Sequence, residues 1–353
     1  MKKINFILPG LSTKPGGGTK IMYEYANRFA LKGYDVTLIH SIKRPFKKAR
    51  TPVWLRHILL LLKKKQTWFR FSPKVNIKLV KEITDRTVPD GDIVISTWWQ
   101  MAYAVDRLSD KKGKKFNLIQ DYEIWTGQEE RVHESYALQL QTIVIAKYLE
   151  KLVHQISGVT PIHIPNAIDI DIFNVKVPID QRNPYSVIML YSEEARKGSQ
   201  DGIDALMKVK EKFPQLDVTL FSTFKRPSLL PTWITFKQRP SNLSELYNQH
   251  AIFLSPSLGE GWALPPAEAM ACGCAVVCTD IGGHHDYAIG NETAFLVEPR
   301  NISQMTNSIL RLIEDQEIRK KLATKAHDNI TSLFSWEASV RKMEEVFFTN
   351  GNG

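Results

Sequence analysis

The feature that most restricts the fold of this 353-residue chain is an alternation of short apolar runs with amphipathic helical segments. It starts with an apolar run at 4–8, a glycine-rich turn at 16–18, a helical segment and a second apolar run at 36–39. Apolar residues recur in the helical segment at spacings of three and four, at Ile21, Met22, Tyr25, Phe29 and Ala30. Further strands are predicted at 93–96, 117–120 and 142–145. Because strand–helix–strand units build parallel sheets, the first half is expected to be a doubly wound α/β domain.

A proline-rich break separates this domain from a second alternation of the same kind. Four prolines fall between residues 161 and 184, which is typical of a linker. Later strands are predicted at 187–190, 217–221, 252–254, 275–278 and 294–297. We therefore expect two Rossmann-like domains with doubly wound parallel sheets, residues 1–165 and 166–334, facing a cleft. Open sheets of this type bind ligands beyond the carboxyl ends of their strands.

The net charge of +10 comes from one segment. Residues 41–81 contain thirteen Lys or Arg and no Asp or Glu, whereas the rest of the chain holds 34 basic and 37 acidic residues. This distribution argues against a uniformly basic protein that coats nucleic acid. The three cysteines lie within seven residues and give no disulfide framework, so a reducing cytoplasm is expected. No run of 18 apolar residues occurs, and the apolar run after Lys2 and Lys3 is too short for a signal peptide.

The segment 255–273 carries most of the functional information. Glu260 lies in a glycine-flanked loop, and Glu268 follows after seven intervening residues. Pro265 and Gly273 predict the start and the end of a helix, with Glu268 in its first turn. The amino end of such a helix favours a phosphate, because it combines unpaired N–H groups with the positive end of the helix dipole. A loop carboxylate beside it can bind sugar hydroxyls, and Glu268 can bind a ribose diol.

This segment resembles the donor-sugar signature of glycosyltransferase family four, the retaining enzymes of the GT-B fold. Gly16-Gly17-Gly18 is similar to that family's amino-terminal glycine loop, near the donor diphosphate. Residues 165–169 resemble its Asn-Gly-(Val/Ile)-Asp element, with Ala167 in place of Gly, and Lys197-Gly198 resembles its diphosphate-binding Lys-Gly pair. The resemblance covers most of the chain. It implies two GT-B domains and a last helix, within 335–353, that returns to the first domain.

The resemblance also implies roles for individual residues. Glu260 would lie at the donor sugar and Glu268 at the ribose. Lys197, with Arg196, would neutralise the leaving diphosphate. The implied donor-binding residues are Gly17, Gly18, Arg196, Lys197, Gly261, Trp262, Ala263, Leu264 and Glu268. Since these groups supply cations and N–H donors, and no Asp-x-Asp motif has a supporting context, neither a metal ion nor another cofactor is expected.

Two positions depart from the family pattern. The family usually has an Arg about five residues before the lysine, following a Gly, and the segment 190–197 has none there. The segment 282–286 ends in Asp286 where the family usually has Glu. The expected fold does not depend on either position, but the nucleotide base and the sugar stay open.

The first domain is expected to bind the acceptor. Trp98 and Trp99 follow one predicted strand, and Asp121 and Glu123 follow another, where many members of the family carry a His. Either acid can take the proton of the acceptor hydroxyl, and the alternative proton acceptor is the leaving phosphate. The candidate catalytic residues are therefore Glu260, Lys197 and Asp121. The tryptophan pair and residues 120–123 weakly resemble bacterial rhamnosyltransferases of cell-surface polymers.

The basic segment 41–81 combines cations with an apolar helical face. The face consists of Trp54, Leu55, Ile58, Leu59 and Leu62, and Trp68, Phe69 and Phe71 follow it. We predict contact with anionic lipid headgroups, to which each nearby cation contributes about 1 kcal/mol. The alternative is a helix that packs on the sheet with a solvated basic rim.

The predicted function is metal-independent, retaining transfer of a hexosyl or deoxyhexosyl group from a nucleotide-diphosphate sugar. The acceptor is a glycan or a lipid-linked glycan of cell-surface polysaccharide or glycoconjugate synthesis. The expected location is the cytoplasm, peripheral on the inner face of the membrane, with no nucleic-acid partner. The alternatives are a GT-B sugar-nucleotide epimerase and a basic nucleic-acid-binding protein without enzymatic activity.

Two local alternatives concern single motifs. Glu260 and Glu268 can be ordinary surface carboxylates, one of which improves the electrostatics of a helix. Cys272, Cys274 and Cys278 with a neighbouring His can be read as a zinc site, although their spacing is not C-x2-C. Buried small side chains are the favoured interpretation of the three cysteines.

Overall fold

The computed structural model describes residues 1–11, 15–46 and 68–349, together with the single positions Pro52, Leu55 and Ile58. The chain divides into two compact units. Unit 1 comprises Met1–Pro165 and Ser339–Gly353, and unit 2 comprises Asn166–Ala338.

Within its described residues, unit 1 contains a seven-stranded parallel sheet with the order β3-β2-β1-β4-β5-β6-β7. The strands are β1 Lys3–Pro9, β2 Asp35–Ser41, β3 Val75–Val80, β4 Ile93–Thr97, β5 Lys114–Ile119, β6 Gln141–Val144 and β7 Ile162–His163. In the part of unit 1 that the structure describes, the connecting helices are α1 Gly17–Leu31, α2 Trp99–Asp106, α3 Glu129–Ser135 and α4 Lys147–Ser157. The order of the strands along the chain reverses between the neighbours β1 and β4.

Unit 2 contains a six-stranded parallel sheet with the order β10-β9-β8-β11-β12-β13. The strands are β8 Ser186–Leu190, β9 Asp217–Ser222, β10 Thr235–Gln238, β11 Ile252–Ser255, β12 Ala275–Thr279 and β13 Ala294–Val297. Its helices are α5 Ser199–Lys212, α6 Leu243–Asn248, α7 Leu264–Ala271, α8 Ile302–Glu314 and α9 Gln316–Leu333. Here the order reverses between β8 and β11.

The last helix, α10 Trp336–Phe348, belongs to unit 1 from Ser339 onward. Its Phe347 is fully buried, with ring centroids 5.6 Å from Phe29 and 4.9 Å from Phe116. Burial of an aromatic ring of this size stabilises a fold by roughly 1.5–3 kcal/mol. The carboxyl-terminal residues therefore complete the core of unit 1.

The predicted fold class is confirmed, since both halves are doubly wound parallel sheets covered by helices. Every residue of β11 and β12 is buried, which explains their continuous apolar runs. The sequence did not predict β3, β7 and β10. These strands lie at sheet edges, and their partly exposed residues give no continuous apolar run.

One helix differs from its prediction. The helix α7 begins at Leu264, so that Pro265 is its second residue and Glu268 its fifth. The prediction that Glu268 lies in the first turn is therefore wrong. Because a proline fits either of the first helical positions, its presence left the starting residue undefined.

Of the 41 residues of the predicted lipid-binding segment 41–81, 18 lie outside the described residues, namely 47–51, 53–54, 56–57 and 59–67. Three of the five residues of its predicted apolar face, Trp54, Leu59 and Leu62, are among them. In the part of the chain that the structure describes, no helix is both long and apolar enough to cross a bilayer.

Candidate active site

The candidate site of unit 2 lies where its strand order reverses. The loop after β8 and the loop after β11 leave neighbouring strands and connect to helices on opposite sides of the sheet. In open α/β sheets this divergence leaves a crevice at the carboxyl ends of the strands, where ligands bind. The first loop carries Lys197 and the second carries Ser257 and Glu260.

Lys197 and Glu260 form a two-pronged ion pair in this crevice. The Nζ of Lys197 lies 2.7 Å from Oε1 and 2.8 Å from Oε2 of Glu260, and Ser257 Oγ donates to Oε1 at 2.8 Å. The side chains of Lys197 and Glu260 are only 18% and 10% exposed. Burial raises the pKa of Glu260, but the Lys197 charge and the hydrogen bonds from Lys197 and Ser257 outweigh it and lower the pKa below its ordinary value. The pair is therefore charged, and it lines a recess together with Pro265 and Pro266.

Two glycines allow these loops to approach one another. Gly198 has φ +60°, and a Cβ there would lie 2.0 Å from the carbonyl oxygen of Pro256. A Cβ at Gly283 would lie 2.4 Å from the carbonyl oxygen of Glu260. The Leu258 N–H also donates to the Arg196 carbonyl at 2.7 Å. The position of Lys197 opposite Glu260 thus depends on backbone contacts that no side chain permits, and these close approaches were not evident from the sequence.

A neutral histidine, His284, forms a hydrogen bond with the last residue of β11. His284 Nδ1 donates to the Thr279 carbonyl at 2.7 Å, which leaves Nε2 to accept from Ser255 Oγ at 3.3 Å. Burial lowers the pKa of His284, so its ring stays uncharged at neutral pH. His284 is completely buried, whereas His285 is exposed beside Asp280.

The remaining predicted donor residues differ in their placement. Glu268 is 4% exposed, accepts a 3.3 Å hydrogen bond from the Tyr247 hydroxyl and is not among the residues that line the recess. The Trp262 ring is buried, 4.8 Å from the Tyr287 ring. The Ala263 N–H donates to the Gly283 carbonyl at 3.3 Å.

Three further donor predictions fall around the same crevice. The Arg196 Nε lies 3.2 Å from Glu194 Oε2. Gly261 is buried, and Leu264 opens α7. The structure therefore brings together Lys197, Glu260 and the loop 256–264, while Glu268 faces the interior of the unit.

The cysteines of unit 2 are buried thiols. All three are free, and burial raises the pKa of Cys272 to about 12 and that of Cys274 to about 11. Cys274 Sγ donates to the Tyr247 carbonyl at 3.2 Å. Among the described residues, no group of three or more His, Cys, Asp or Glu side chains is arranged to hold a metal ion.

The candidate residues of unit 1 also gather where its strand order reverses. Gly17 and Gly18 open α1 after β1, and both are exposed. Gln120, after β5, donates through Nε2 to the Gly18 carbonyl at 2.9 Å and to Thr97 Oγ1 at 2.8 Å. Asp121 accepts from the Tyr122 N–H at 2.9 Å. The glycine turn is therefore held against the ends of β4 and β5.

The acceptor-side predictions separate into exposed and buried groups. Trp98 is half-buried, whereas Trp99 is 2% exposed and stacks beneath Phe46 with centroids 5.8 Å apart. Glu123 is 7% exposed and accepts from the Trp99 N–H at 2.7 Å. Burial, with a smaller effect from the Asp121 charge, raises the pKa of Glu123 to about 8. Glu123 is thus mostly protonated at neutral pH, and its carboxyl group accepts a hydrogen bond from the backbone at the start of α2.

Comparisons with known proteins agree with this architecture. The profile of the family described as "Glycosyl transferases group 1" matches residues 230–329. An uncharacterised glycosyltransferase of Haemophilus influenzae is 25% identical over 92% of this chain and 94% of its own length. The lipopolysaccharide 1,2-N-acetylglucosaminetransferase of Salmonella typhimurium is 31% identical over 31% of this chain and 29% of its own. For several curated relatives, the match spans only 26–30% of their length.

A solved structure extends the similarity to the whole chain. The Anabaena protein HepE, crystallised with UDP-glucose, superposes with a TM-score of 0.75 at 15% identity, over 98% of this chain and 99% of its own. Such a low identity establishes the fold alone. The chain therefore has a GT-B fold like that of HepE, and its residues 230–329 are similar to the group 1 glycosyl transferases.

Proposed function

We propose that the chain is a retaining glycosyltransferase that takes a sugar from a nucleotide-diphosphate sugar. The observation that carries this proposal is the Lys197–Glu260 pair at the point of unit 2 where the strand order reverses. A partly buried cation beside a partly buried carboxylate offers one group for a diphosphate and one for sugar hydroxyls. The bound UDP-glucose of the HepE structure supports a nucleotide sugar as the ligand.

Lys197 has the chemistry that the leaving group requires. When the bond between the anomeric carbon and the diphosphate breaks, negative charge develops on the phosphate oxygens. A cation fixed beside them stabilises that charge without reorganising in the reaction. The carboxylate of Glu260 orients both the ammonium group and the sugar hydroxyls. In this proposal Lys197 takes over the charge neutralisation that a metal ion provides elsewhere, and the reaction is metal-independent.

The acceptor is assigned to unit 1, which carries Asp121. Its hydroxyl oxygen forms the new bond to the anomeric carbon, and its proton passes to the leaving phosphate or to Asp121. Glu123 is less suited to this role, because it is buried and its carboxylate oxygen is engaged by the Trp99 N–H. The transferred group is a hexose or deoxyhexose that keeps its anomeric configuration.

Two observations support a proposed acceptor class, namely the name of one relative and the charge of the chain. The Salmonella relative is named for lipopolysaccharide, which favours a glycan or lipid-linked glycan of the cell surface. Residues 41–81 contain thirteen basic and no acidic side chains. This charge favours binding of the protein to an anionic membrane surface, where a lipid-linked acceptor would be located. The proposed location is therefore peripheral, on the inner face of the membrane.

Direct measurement of sugar transfer tests the proposal. Labelled UDP-glucose, UDP-N-acetylglucosamine, GDP-mannose and dTDP-rhamnose are each incubated with the full chain and a bacterial lipid extract. We expect product from at least one donor, unchanged by excess EDTA, with retained anomeric configuration in its NMR spectrum. Glu260→Ala should abolish product, whereas Glu314→Gln, at an exposed ion pair of the same unit, should not. Full activity of Glu260→Ala would show that the assignment is wrong.

A further inference from the structure

We propose that Trp98 and Trp125 of unit 1 form a platform on which a sugar ring of the acceptor stacks. This inference rests on the proposed transferase function and adds the chemical class that the acceptor side recognises. It concerns the edge-to-face pair of indole rings of Trp98 and Trp125, here called the tryptophan corner.

The tryptophan corner lies at the ligand-binding edge of the sheet. Trp98 directly follows β4, and Trp125 lies in the short turn Glu123–Thr126 that follows the neighbouring strand β5. The two ring centroids are 6.3 Å apart, with the ring planes at 76°. Parallel strands present ligand sites at this carboxyl edge. The tryptophan corner therefore lies at the sheet edge where unit 1 is expected to bind an acceptor.

A hydrogen bond couples the two segments that carry these rings. Glu123 belongs to the turn of Trp125, and its Oε2 accepts the Trp99 N–H at the start of α2. Burying a carboxyl group is costly unless it is paired or protonated, and this one has a pKa raised to about 8. Glu123 is therefore a positioning residue for the tryptophan corner.

The backbone of Trp98 is strained. Its φ is +78° and its ψ is 123°, a conformation that a bulky L-residue rarely adopts. Such strain costs on the order of 1–3 kcal/mol and persists where the surroundings hold it, often at ligand sites. Its Nε1 donates to Gln100 Oε1 at 3.2 Å, which fixes the indole on its own helix. The strained backbone and this hydrogen bond set the direction of the ring.

Exposure distinguishes the tryptophan corner from core aromatic clusters. Among the tryptophans that the structure describes, only Trp125 is classed as exposed, at 45% of its surface. Trp99, in contrast, is covered by Phe46 and Tyr103. An indole left in water at a ligand edge loses the free energy that burial would supply, unless a ligand covers it.

The chemistry around the corner favours a sugar as the occupant. A pyranose has one apolar C–H face and a polar rim, so two indoles at a right angle cover its face and one edge. The guanidinium of Arg44 lies 5.8 Å from the Trp98 ring centroid. This cation complements an anionic group on or next to the sugar, such as a carboxylate or a phosphate.

Saturation-transfer NMR on the full chain tests the corner without knowledge of the acceptor. The probes are the methyl glycosides of glucose, galactose, mannose, rhamnose and N-acetylglucosamine, together with glucuronate and glucose 1-phosphate. We expect ring-proton signals from at least one probe, stronger for an anionic one. Trp125→Ala and Trp98→Gly should each reduce them at least fivefold, and the glycine also relieves the strained φ. Trp233→Ala, which removes a half-buried indole of unit 2, should leave them unchanged.

Stabilisation by UDP, measured on the same variants, separates this inference from the proposed function. UDP should raise the unfolding temperature of the wild type and of Trp125→Ala equally. If UDP raises the unfolding temperature of none of the proteins, the donor assignment is wrong. The NMR signals alone then decide whether the tryptophan corner binds a sugar. If UDP binds but no probe signal depends on Trp125 or Trp98, the corner is not a sugar platform. Glu123→Gln should retain the signals, because its amide oxygen can still accept the Trp99 N–H, whereas Glu123→Ala should weaken them.

Discussion

Lys197 and Glu260 neutralise each other, so the cation proposed for the diphosphate has a carboxylate partner within the protein. Glu260→Gln should release Lys197 and strengthen the binding of UDP about tenfold, or by ~1.4 kcal/mol, because UDP carries no sugar that needs the carboxylate. Titration calorimetry of the full chain measures this affinity. The same substitution should abolish sugar transfer, because the sugar of an intact nucleotide-sugar donor does need the Glu260 carboxylate.

Glu314→Gln is the matched control for this variant. It removes the same charge from an exposed pair with Lys212 and should leave UDP affinity unchanged. Equal affinities of the wild type and Glu260→Gln would contradict the proposed competition between Glu260 and the diphosphate for Lys197.

Glu123 predicts a dependence of stability on pH. Its pKa is raised from 4.5 to about 8, so between these values the folded state binds more protons than the unfolded state. Its contribution to stability is therefore complete at pH 4 and is lost as the pH rises through 8. Each unit of pKa shift corresponds to about 1.4 kcal/mol, which makes the loss a few kcal/mol.

Glu123→Gln should remove this dependence while it keeps an acceptor for the Trp99 N–H. Thermal unfolding at pH 5 and pH 9 measures the effect. Compared with the wild type, the variant should gain stability at pH 9 and change little at pH 5. A variant that is destabilised equally at both pH values would indicate that the Glu123 carboxyl is ionised in the folded protein.

At the scale of elements, the loops after β8 and β11 form the site only because Gly198 lets them touch. Gly198→Ala should weaken UDP binding and lower the unfolding temperature, because a Cβ would overlap the Pro256 carbonyl oxygen. Gly158→Ala is the matched control, since Gly158 has φ +72° and no atom near its Cβ position. It reports the cost of backbone strain alone, roughly 1–2 kcal/mol. Equal destabilisation of both variants would show that the loops separate easily.

The interior strands and the helix after β11 were predictable, whereas the contacts between loops were not. Runs such as 275–278 are apolar because both faces of the sheet are covered, and a continuous apolar run of this kind can be recognised in the sequence. Edge strands such as β10 carry exposed residues and lack the pattern. The resemblance pointed to Lys197 and Glu260, but residues 63 positions apart become an ion pair only through the order of β8 and β11.

Two site features left no signal in the residues themselves. The burial of Glu268 against Tyr247 depends on how α6 and α7 pack, and the strained Trp98 precedes the residue whose N–H donates to Glu123. A charged or aromatic residue at a strand end is compatible with exposure or burial. Its environment is decided by neighbours that are distant in sequence.

For the molecule as a whole, the charge of 41–81 predicts salt-sensitive membrane binding. The full chain should co-sediment with vesicles that contain phosphatidylglycerol and much less with vesicles of phosphatidylcholine alone. Replacing Lys63, Lys64 and Lys65 by Ser should reduce co-sedimentation. Replacing Lys320, Lys321 and Lys325 by Ser, which removes equal charge from α9, should not. Binding that does not depend on lipid charge would favour the alternative, in which the segment packs on the sheet and its basic side chains form a solvated rim.

The central claim is that unit 2 binds a nucleotide-diphosphate sugar through Lys197. Ligand-induced stabilisation tests it most directly, because a ligand at 100 times its Kd stabilises the folded state by about 2.7 kcal/mol. Thermal unfolding is measured with UDP, GDP and dTDP for the wild type, Lys197→Ala and Lys212→Ala. We expect at least one diphosphate to raise the unfolding temperature of the wild type and of Lys212→Ala, but not that of Lys197→Ala. No stabilisation by any of the three, or equal stabilisation of Lys197→Ala, would contradict the claim.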